Sequence, residues 1–426
     1  MEHAVIIGNG AAGITAARHL RSIEPQWRIT VISGESKFHY SRPALMYIFM
    51  GHMRYADTKP FEDCVWEHER IELVRDWVTQ VDADASALTL HKAGKLPYDK
   101  LLLATGSKSN KFGWPGQDLR RVQGLYDLMD LHQLYENVKG TRNAVIVGGG
   151  LIGIELGEML HSCHIPVTFV VRENSYWDNV LPAEESAMVT HVIRDAGFTI
   201  HLQTELKEIV DDGTGCACAV ITGSGERIEA QLVGLTAGVS PNIDLVRDSK
   251  IETARGVLVD WSLRTNVSNV FAAGDCAEIV NEGDHRNLTQ QVWYTGKMQG
   301  KVAAEAMAGR DVRYDPGIWY NSAKFLDLEY QTYGFVPNVP VPGQVNLWWE
   351  HADGRKGLRL IHSESGEFLA MNIIGLRARH RVCESWIREE RSIDYVLDHL
   401  ADAHFDAEFS QRHEPEIARA LRSQTS

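Results

Sequence analysis

MEHAVIIGNGAAGITAARHLRSIEPQWRITVISGE, residues 1–35, decides the fold. Ala4–Ile7 is a short, wholly apolar run, the kind that forms a strand buried in a parallel sheet. Gly8, Gly10 and Gly13 follow as G-x-G-x-x-G, with Ala12 inside the motif, and Ala11–Ile23 is rich in helix-forming residues. Arg28–Ile32 reads as a second strand, with Glu35 just beyond it. In such a unit the first glycine permits a tight turn and the second lets backbone approach a pyrophosphate. The third lets helix and strand pack closely, and the helix N-terminus attracts the anion. Glu35 is placed to accept hydrogen bonds from ribose hydroxyls.

The arrangement returns further along the chain. Ala144–Val147 reads as a strand, and Gly148, Gly150 and Gly153 repeat the motif with Ile152 inside it. Ile154–His161 continues as helix, and Val167–Val171 is the next strand. A lone motif is a weak signal in a chain with 36 glycines. Two, each set between a strand and a helix and each followed by another strand, point to two dinucleotide sites. The fold class expected is therefore α/β, with two Rossmann-like dinucleotide-binding domains.

Composition agrees with this and excludes other classes. The chain has 426 residues, enough for about three domains, and its 44% hydrophobic and 23% charged residues are ordinary for a folded protein. The net charge of −14 argues against a nucleic-acid partner. No apolar run is long enough to span a bilayer, and the N-terminus lacks a secretory pattern. Six scattered cysteines make neither a disulfide scaffold nor a metal-type CxxC pair. No metal is expected, and a reduced, cytoplasmic protein is.

Between and after the glycine motifs lie further punctuated strands. Leu101–Ala104 ends in Thr105-Gly106, Leu232–Ala237 runs into Gly238, and Val270–Ala273 leads to Gly274-Asp275. Gln290–Met307 is a helical stretch opened by Gln290 and Gln291. From Tyr314 the chain turns aromatic, and Gly357–His362 and Phe368–Ile374 alternate as antiparallel strands do. The last 40 residues read as mainly helical. A C-terminal α+β domain is expected.

Taken together, these motifs resemble the two-dinucleotide flavoprotein reductases of the pyridine nucleotide–disulfide oxidoreductase superfamily. The resemblance rests on both glycine motifs, on Ala104-Thr105-Gly106, and on Thr265 followed by Phe271-Ala-Ala-Gly274-Asp275. It implies a glutathione-reductase-type fold with FAD in the first cradle and NADPH or NADH in the second. It implies that Asp275 bonds the ribitol chain of FAD and that Glu155 lies near the nicotinamide. The domains implied are 1–112 and 241–312 for FAD, 113–240 for NAD(P)H, and 313–426 as an interface domain, with a homodimer as the expected assembly.

The departures are equally informative. Disulfide reductases carry a C-x4-C pair after the first ribose acid, whereas here residues 39–47 read HYSRPALMY. A dithiol relay is therefore not available there. The Tyr-x-Arg-Pro-x-Leu pattern resembles the rubredoxin, ferredoxin and nitrite-reductase-type NAD(P)H reductases, which often continue with Ser-Lys. This chain has Met46 and Tyr47 instead, so Tyr47 or an apolar wall, rather than a cation, is expected at the flavin's reactive edge. Arg42, followed by Pro43, is placed to neutralise the FAD pyrophosphate. Gln290 and Gln291 are placed to face the pyrimidine end of the flavin, where reduction leaves negative charge. In the second motif the usual ribose acid is replaced by Val171, and Arg172 follows, which favours a 2′-phosphate and hence NADPH. Glu173 keeps NADH open.

The activity expected is hydride transfer from a nicotinamide to FAD, then electron delivery to an external acceptor without a cysteine pair. The acceptor is a small electron-carrier protein or a small molecule. The competing reading is a flavin-based redox sensor with slow turnover. Cys216, Cys218 and Cys276 are expected as structural thiols, and His413 as a helix-flank histidine.

Overall fold

A computed structural model of the chain describes residues 1–281, 287–406 and 408–424. It divides into two compact units. One comprises Met1–Asn110, Gly124–Glu136 and Gly238–Pro316; the other comprises Lys111–Gln123, Asn137–Ala237 and Gly317–Ser426.

The first unit is built on a five-stranded parallel sheet. Its spatial order is Val270–Ala272, Lys100–Leu103, His3–Ile7, Arg28–Ile32 and Ile71–Val74. The central strand, HAVII, is buried throughout, as a strand covered on both faces must be. Its crossover is the Ala11–Ile23 helix, which starts immediately after Gly10. The Trp293–Met307 helix packs against that helix where side chains are smallest. A Cβ on Gly300 would lie 2.3 Å from the Ala12 carbonyl oxygen, and one on Gly274 would lie 2.9 Å from the Ala12 Cβ. This close approach explains the run of Gly and Ala at these positions. The helix begins at Trp293 rather than at Gln290, because the chain is extended at its N-cap, Val292.

The second unit repeats the design. Its parallel sheet runs in the order Thr199–His201, Val167–Val170, Ala144–Val147, Leu232–Leu235 and Val122–Gln123. The Leu151–Ser162 helix covers it, starting a turn earlier than the apolar pattern suggested because Gly150 already serves as N-cap. Gly157 lets this helix sit on the sheet, since a Cβ there would come within 2.6 Å of the Phe169 ring. Cys216 and Cys218 flank the start of the Ala217–Thr222 strand and are unpaired.

The same unit carries a five-stranded antiparallel sheet. Its order is Tyr320–Phe325, Leu328–Tyr333, Phe368–Ile374, Gly357–Ser363 and Gln344–Glu350. The helices His380–Arg388, Ile393–His399 and Glu414–Arg422 contribute Trp386, Val396 and Leu421 to its core. A buried ion pair ties this sheet to the Ala183–Asp195 helix. Arg359 Nε and Nη2 donate to the two oxygens of Glu185 at 2.7 and 2.8 Å. The pair is bidentate and desolvated, the geometry that arginine supplies and lysine does not. No helix among the described residues is long and apolar enough to cross a membrane.

Candidate functional site

The first glycine cradle sits between the His3–Ile7 strand and the Ala11–Ile23 helix. Gly8 has φ +108°, and a Cβ there would fall 2.0 Å from the Ala104 carbonyl oxygen. A Cβ on Gly13 would fall 2.0 Å from the Gly8 carbonyl oxygen. These two positions admit no side chain. Gly10 differs: a Cβ there meets nothing within 4 Å, so the space over the helix start is open. The helix has no side-chain cap and no acid in its first turn. Its leading N–H groups are thus left for an anion. A pyrophosphate fits this cradle.

Beside it lies a connected polar network within the same unit. Arg42 Nη2 donates to Glu35 Oε2 at 2.9 Å, and its Nη1 donates to the Tyr126 carbonyl at 2.7 Å. Glu35 Oε1 also accepts from the Tyr40 hydroxyl and from the Leu128 backbone N–H at 3.1 Å. Arg42, expected at the pyrophosphate, therefore stands against Glu35, the residue expected at the ribose. The physical reason is that Glu35 is largely removed from water, and a half-buried carboxylate needs a countercharge. Arg42 Nη1 also reaches Oε1 at 3.3 Å, so Oε1 is fully taken, whereas Oε2 accepts only from Arg42 Nη2 and retains capacity for a hydroxyl. Pro43 is exposed at the start of the short Arg42–Ala44 turn, and Tyr47 lies on the Leu45–Phe49 helix, 6.3 Å from the His52 ring.

The network continues through Tyr126 to Asp275. The Tyr126 ring lies under the Arg42 guanidinium at 4.6 Å, and its hydroxyl accepts from the Ser107 N–H at 2.7 Å. Ser107 Oγ donates to Asp275 Oδ2 at 3.1 Å and accepts from Gln291 Nε2 at 2.7 Å. Burial holds the Asp275 carboxyl above the usual carboxylate range, while Ser107 and Arg42 pull it back down. Gln290 Oε1 accepts from the Tyr314 hydroxyl at 2.7 Å, and Gln299 Oε1 accepts from the Gly274 N–H at 2.8 Å. Thr105 Oγ1 donates to the Asn242 carbonyl at 2.7 Å. Gly106, Gly238 and Gly274 have φ of +70°, +84° and +78°, so each turn favours glycine. Sequence reading missed Tyr40, Ser107, Tyr126 and Gln299. Two of them had a signal: Tyr40 opens the Tyr-x-Arg-Pro-x-Leu pattern, and Ser107 directly follows Ala104-Thr105-Gly106.

The second cradle has the same construction. Gly148 has φ +122°, with its Cβ direction blocked at 2.6 Å by the Thr236 carbonyl oxygen. Gly150 is open, and a Cβ on Gly153 would meet the Gly148 carbonyl, Thr236 Oγ1 and Tyr176 Oη at 3.0 Å each. The buried Tyr176 hydroxyl donates to the Gly150 carbonyl at 3.0 Å and so fixes the motif from below. Ile152 and Glu155 are partly exposed on the Leu151–Ser162 helix. Burial, reinforced by the like charge of Glu158, pushes the Glu155 carboxyl up to about 7. Arg172 is exposed and donates to the Glu173 carboxylate at 3.0 Å.

All six cysteines are free thiols, and none falls in the 39–47 segment. Cys276, next to Asp275, is buried, and burial raises its thiol further.

The chain is 31% identical over 311 residues to the biphenyl dioxygenase system ferredoxin–NAD(+) reductase component of Paraburkholderia xenovorans, covering 72% of this chain and 75% of that protein. It is 29% identical over 391 residues to the p-cumate 2,3-dioxygenase system ferredoxin–NAD(+) reductase component of Pseudomonas putida, covering 92% and 94%. The crystal structure of the ferredoxin reductase for the CYP199A2 system from Rhodopseudomonas palustris superposes with a TM-score of 0.80 at 21% identity, over 99% of this chain and all of that one. The family model described as pyridine nucleotide-disulphide oxidoreductase matches residues 2–307. With two glycine cradles built for dinucleotides and no paired cysteine, the chain belongs to the pyridine nucleotide-disulphide oxidoreductase family and is an FAD-dependent NAD(P)H oxidoreductase.

Proposed function

We propose that this oxidoreductase passes electrons to a small one-electron carrier protein of the ferredoxin or rubredoxin type. The observation that carries this reading is the 39–47 segment. Where a disulfide reductase has its dithiol, this chain has Tyr40, Arg42, Met46 and Tyr47, and its six thiols are unpaired. Without a thiol relay, electrons must leave the flavin directly for the acceptor. The names of the two relatives described above, both ferredoxin–NAD(+) reductase components, support the choice of acceptor.

When bound, FAD supplies the ability to take a hydride from reduced nicotinamide and to release electrons singly. The residues assigned to hold it are Gly8, Gly10, Ala12 and Gly13 at the pyrophosphate and Glu35, braced by Arg42 and Pro43, at the ribose. Thr105, Gly106, Gly238, Gly274, Asp275, Gln290 and Gln291 are assigned to the ribitol and ring end, with Tyr47 at the exposed edge. Gly148, Gly150, Ile152, Gly153 and Arg172 are assigned to the nicotinamide dinucleotide. Glu155 is assigned to orient the nicotinamide, its carboxyl poised near neutrality. We assign NADH as the preferred donor. Glu173 pairs with Arg172, which leaves this cation less free for a 2′-phosphate, and the two relatives described above are named for NAD(+). Residues 1–112 with 241–312 are assigned to FAD, 113–240 to the dinucleotide and 313–426 to a homodimer interface. A reducing, cytoplasmic setting suits six free thiols.

The test is anaerobic reduction of the yellow protein by NADH, followed by reoxidation with ferredoxin, rubredoxin, a quinone, dioxygen and a disulfide. Fast reoxidation by a carrier protein, slowing as salt rises, is the expected result. Faster reoxidation by the disulfide or by dioxygen than by any carrier would refute the proposal.

A further inference from the structure

We propose that His351, His413 and Glu416 form a divalent metal site of the zinc type, which pins the C-terminal helix to the end of a strand of the antiparallel sheet. His351 directly follows the Gln344–Glu350 strand. His413 is the N-cap of the Glu414–Arg422 helix, and Glu416 lies in its first turn. One ligand atom from each of the three lies within 4.8 Å of the others.

Three observations favour a metal over a chance cluster. His413 is 4% exposed, its Nδ1 lies 4.0 Å from Glu416 Oε2, its ring centroid lies 4.9 Å from that of His351, and its buried Nε2 has no hydrogen-bond partner, which is costly for a polar ring. The Asp353 backbone N–H donates to His351 Nδ1 at 3.3 Å and Asp353 Oδ2 lies 3.0 Å from the same nitrogen, so Nε2 is the nitrogen offered for coordination, its proton leaving as the metal binds. A carboxylate behind a ligating imidazole is the usual outer support of a zinc histidine. Lys356, a nearby cation, is paired with the same Asp353.

The donor set selects the metal class. Two imidazoles and one carboxylate suit zinc, leave a fourth position for water, and disfavour calcium and magnesium, which prefer all-oxygen shells. Tetrahedral zinc needs its ligand atoms roughly 3.4 Å apart. The Glu416 side chain is 59% exposed, so its rotation can close the shell at little cost.

The experiment uses the untagged, FAD-loaded full chain, stripped with a chelator and titrated with zinc chloride in a calorimeter. One zinc per chain is expected. His351→Ala and Glu416→Gln, both at accessible positions, should each weaken binding at least tenfold. His191→Ala, which alters an exposed His–Asp pair elsewhere in the same unit, should change it less than twofold. Zinc should raise the thermal midpoint of the wild type and leave that of His351→Ala unmoved. The site is overturned if no stoichiometric zinc binds, or if either ligand variant binds zinc as the wild type does.

Discussion

Nη2 of Arg42 donates to Oε2 of Glu35 at 2.9 Å, and the same guanidinium lies over the Tyr126 ring. The pair joins Glu35, assigned to the ribose, to the network that ends at Asp275. Removing either partner strands a largely buried charge on the other. Arg42→Ala is expected to weaken FAD binding by about 10–100-fold, the equivalent of one charged hydrogen bond or roughly 1.5–3 kcal/mol. Fluorescence of released flavin measures it. Glu35→Gln should weaken binding too, and the double variant should lose less than the sum. Strict additivity would mean that the pair is not coupled.

The two cradles should be separable by single methyl groups. Gly8→Ala places a Cβ 2.0 Å from the Ala104 carbonyl at a φ that side chains avoid. It is expected to purify largely without flavin. Gly148→Ala strains the second cradle in the same way, with Thr236 at 2.6 Å. It should stay yellow and be reduced by NADH at least tenfold more slowly. A colourless Gly148→Ala protein would contradict the assignment of FAD to the first cradle.

Glu155 should give the enzyme a pH signature. Its carboxyl titrates at about 7 in the folded chain, against about 4.5 for an ordinary glutamate. Between those values the folded state holds the proton more tightly than the unfolded state. Stability therefore falls as pH rises through this window, and above pH 7 the full cost, about 3 kcal/mol, is in place. Glu155→Gln should be more stable than wild type by about 1–3 kcal/mol at pH 8 and by much less at pH 5, as read by urea unfolding. An equal difference at both pH values would show that Glu155 does not titrate there. The same substitution should flatten any change near pH 7 in the rate of reduction by NADH.

Donor choice can be read at the end of the Val167–Val170 strand. Arg172→Ala should leave kcat/KM for NADH within about threefold, since this exposed cation is already paired with Glu173. Glu173→Ala frees Arg172, and should improve NADPH relative to NADH by about tenfold, as one charge-assisted contact to a 2′-phosphate would. A large loss of NADPH activity in Arg172→Ala would reverse the assignment.

The Arg359–Glu185 pair predicts a stability effect unrelated to either cradle. Glu185 is wholly buried, with both oxygens taken by Arg359. Arg359→Ala should cost about 3–5 kcal/mol in chemical denaturation, because an uncompensated carboxylate remains inside. Arg359→Lys should recover only part of this, since an ammonium cannot form the bidentate contact.

Much of the fold was legible because it is written in local chemistry. The Ala11–Ile23 helix and the Arg28–Ile32 and Ala144–Val147 strands fall where glycine punctuation and apolar runs placed them. The start of the Trp293–Met307 helix did not, because the chain is extended at Val292, while the side chains of Gln290 and Gln291 bond Tyr314 and Ser107. Tyr126 was invisible for a related reason. Its partners Arg42, Ser107 and Asp275 are 84, 19 and 149 residues away, and no spacing rule reports contacts over such separations.

The sequence by itself determined that this chain has two dinucleotide cradles and no dithiol, because a glycine turn and a missing cysteine are properties of a few adjacent residues. Only the tertiary structure decided that Arg42 serves Glu35, that Glu155 titrates near neutrality, and that His351 meets His413. Those outcomes depend on which side chains lose water together, and burial is fixed by the packed fold rather than by any one segment.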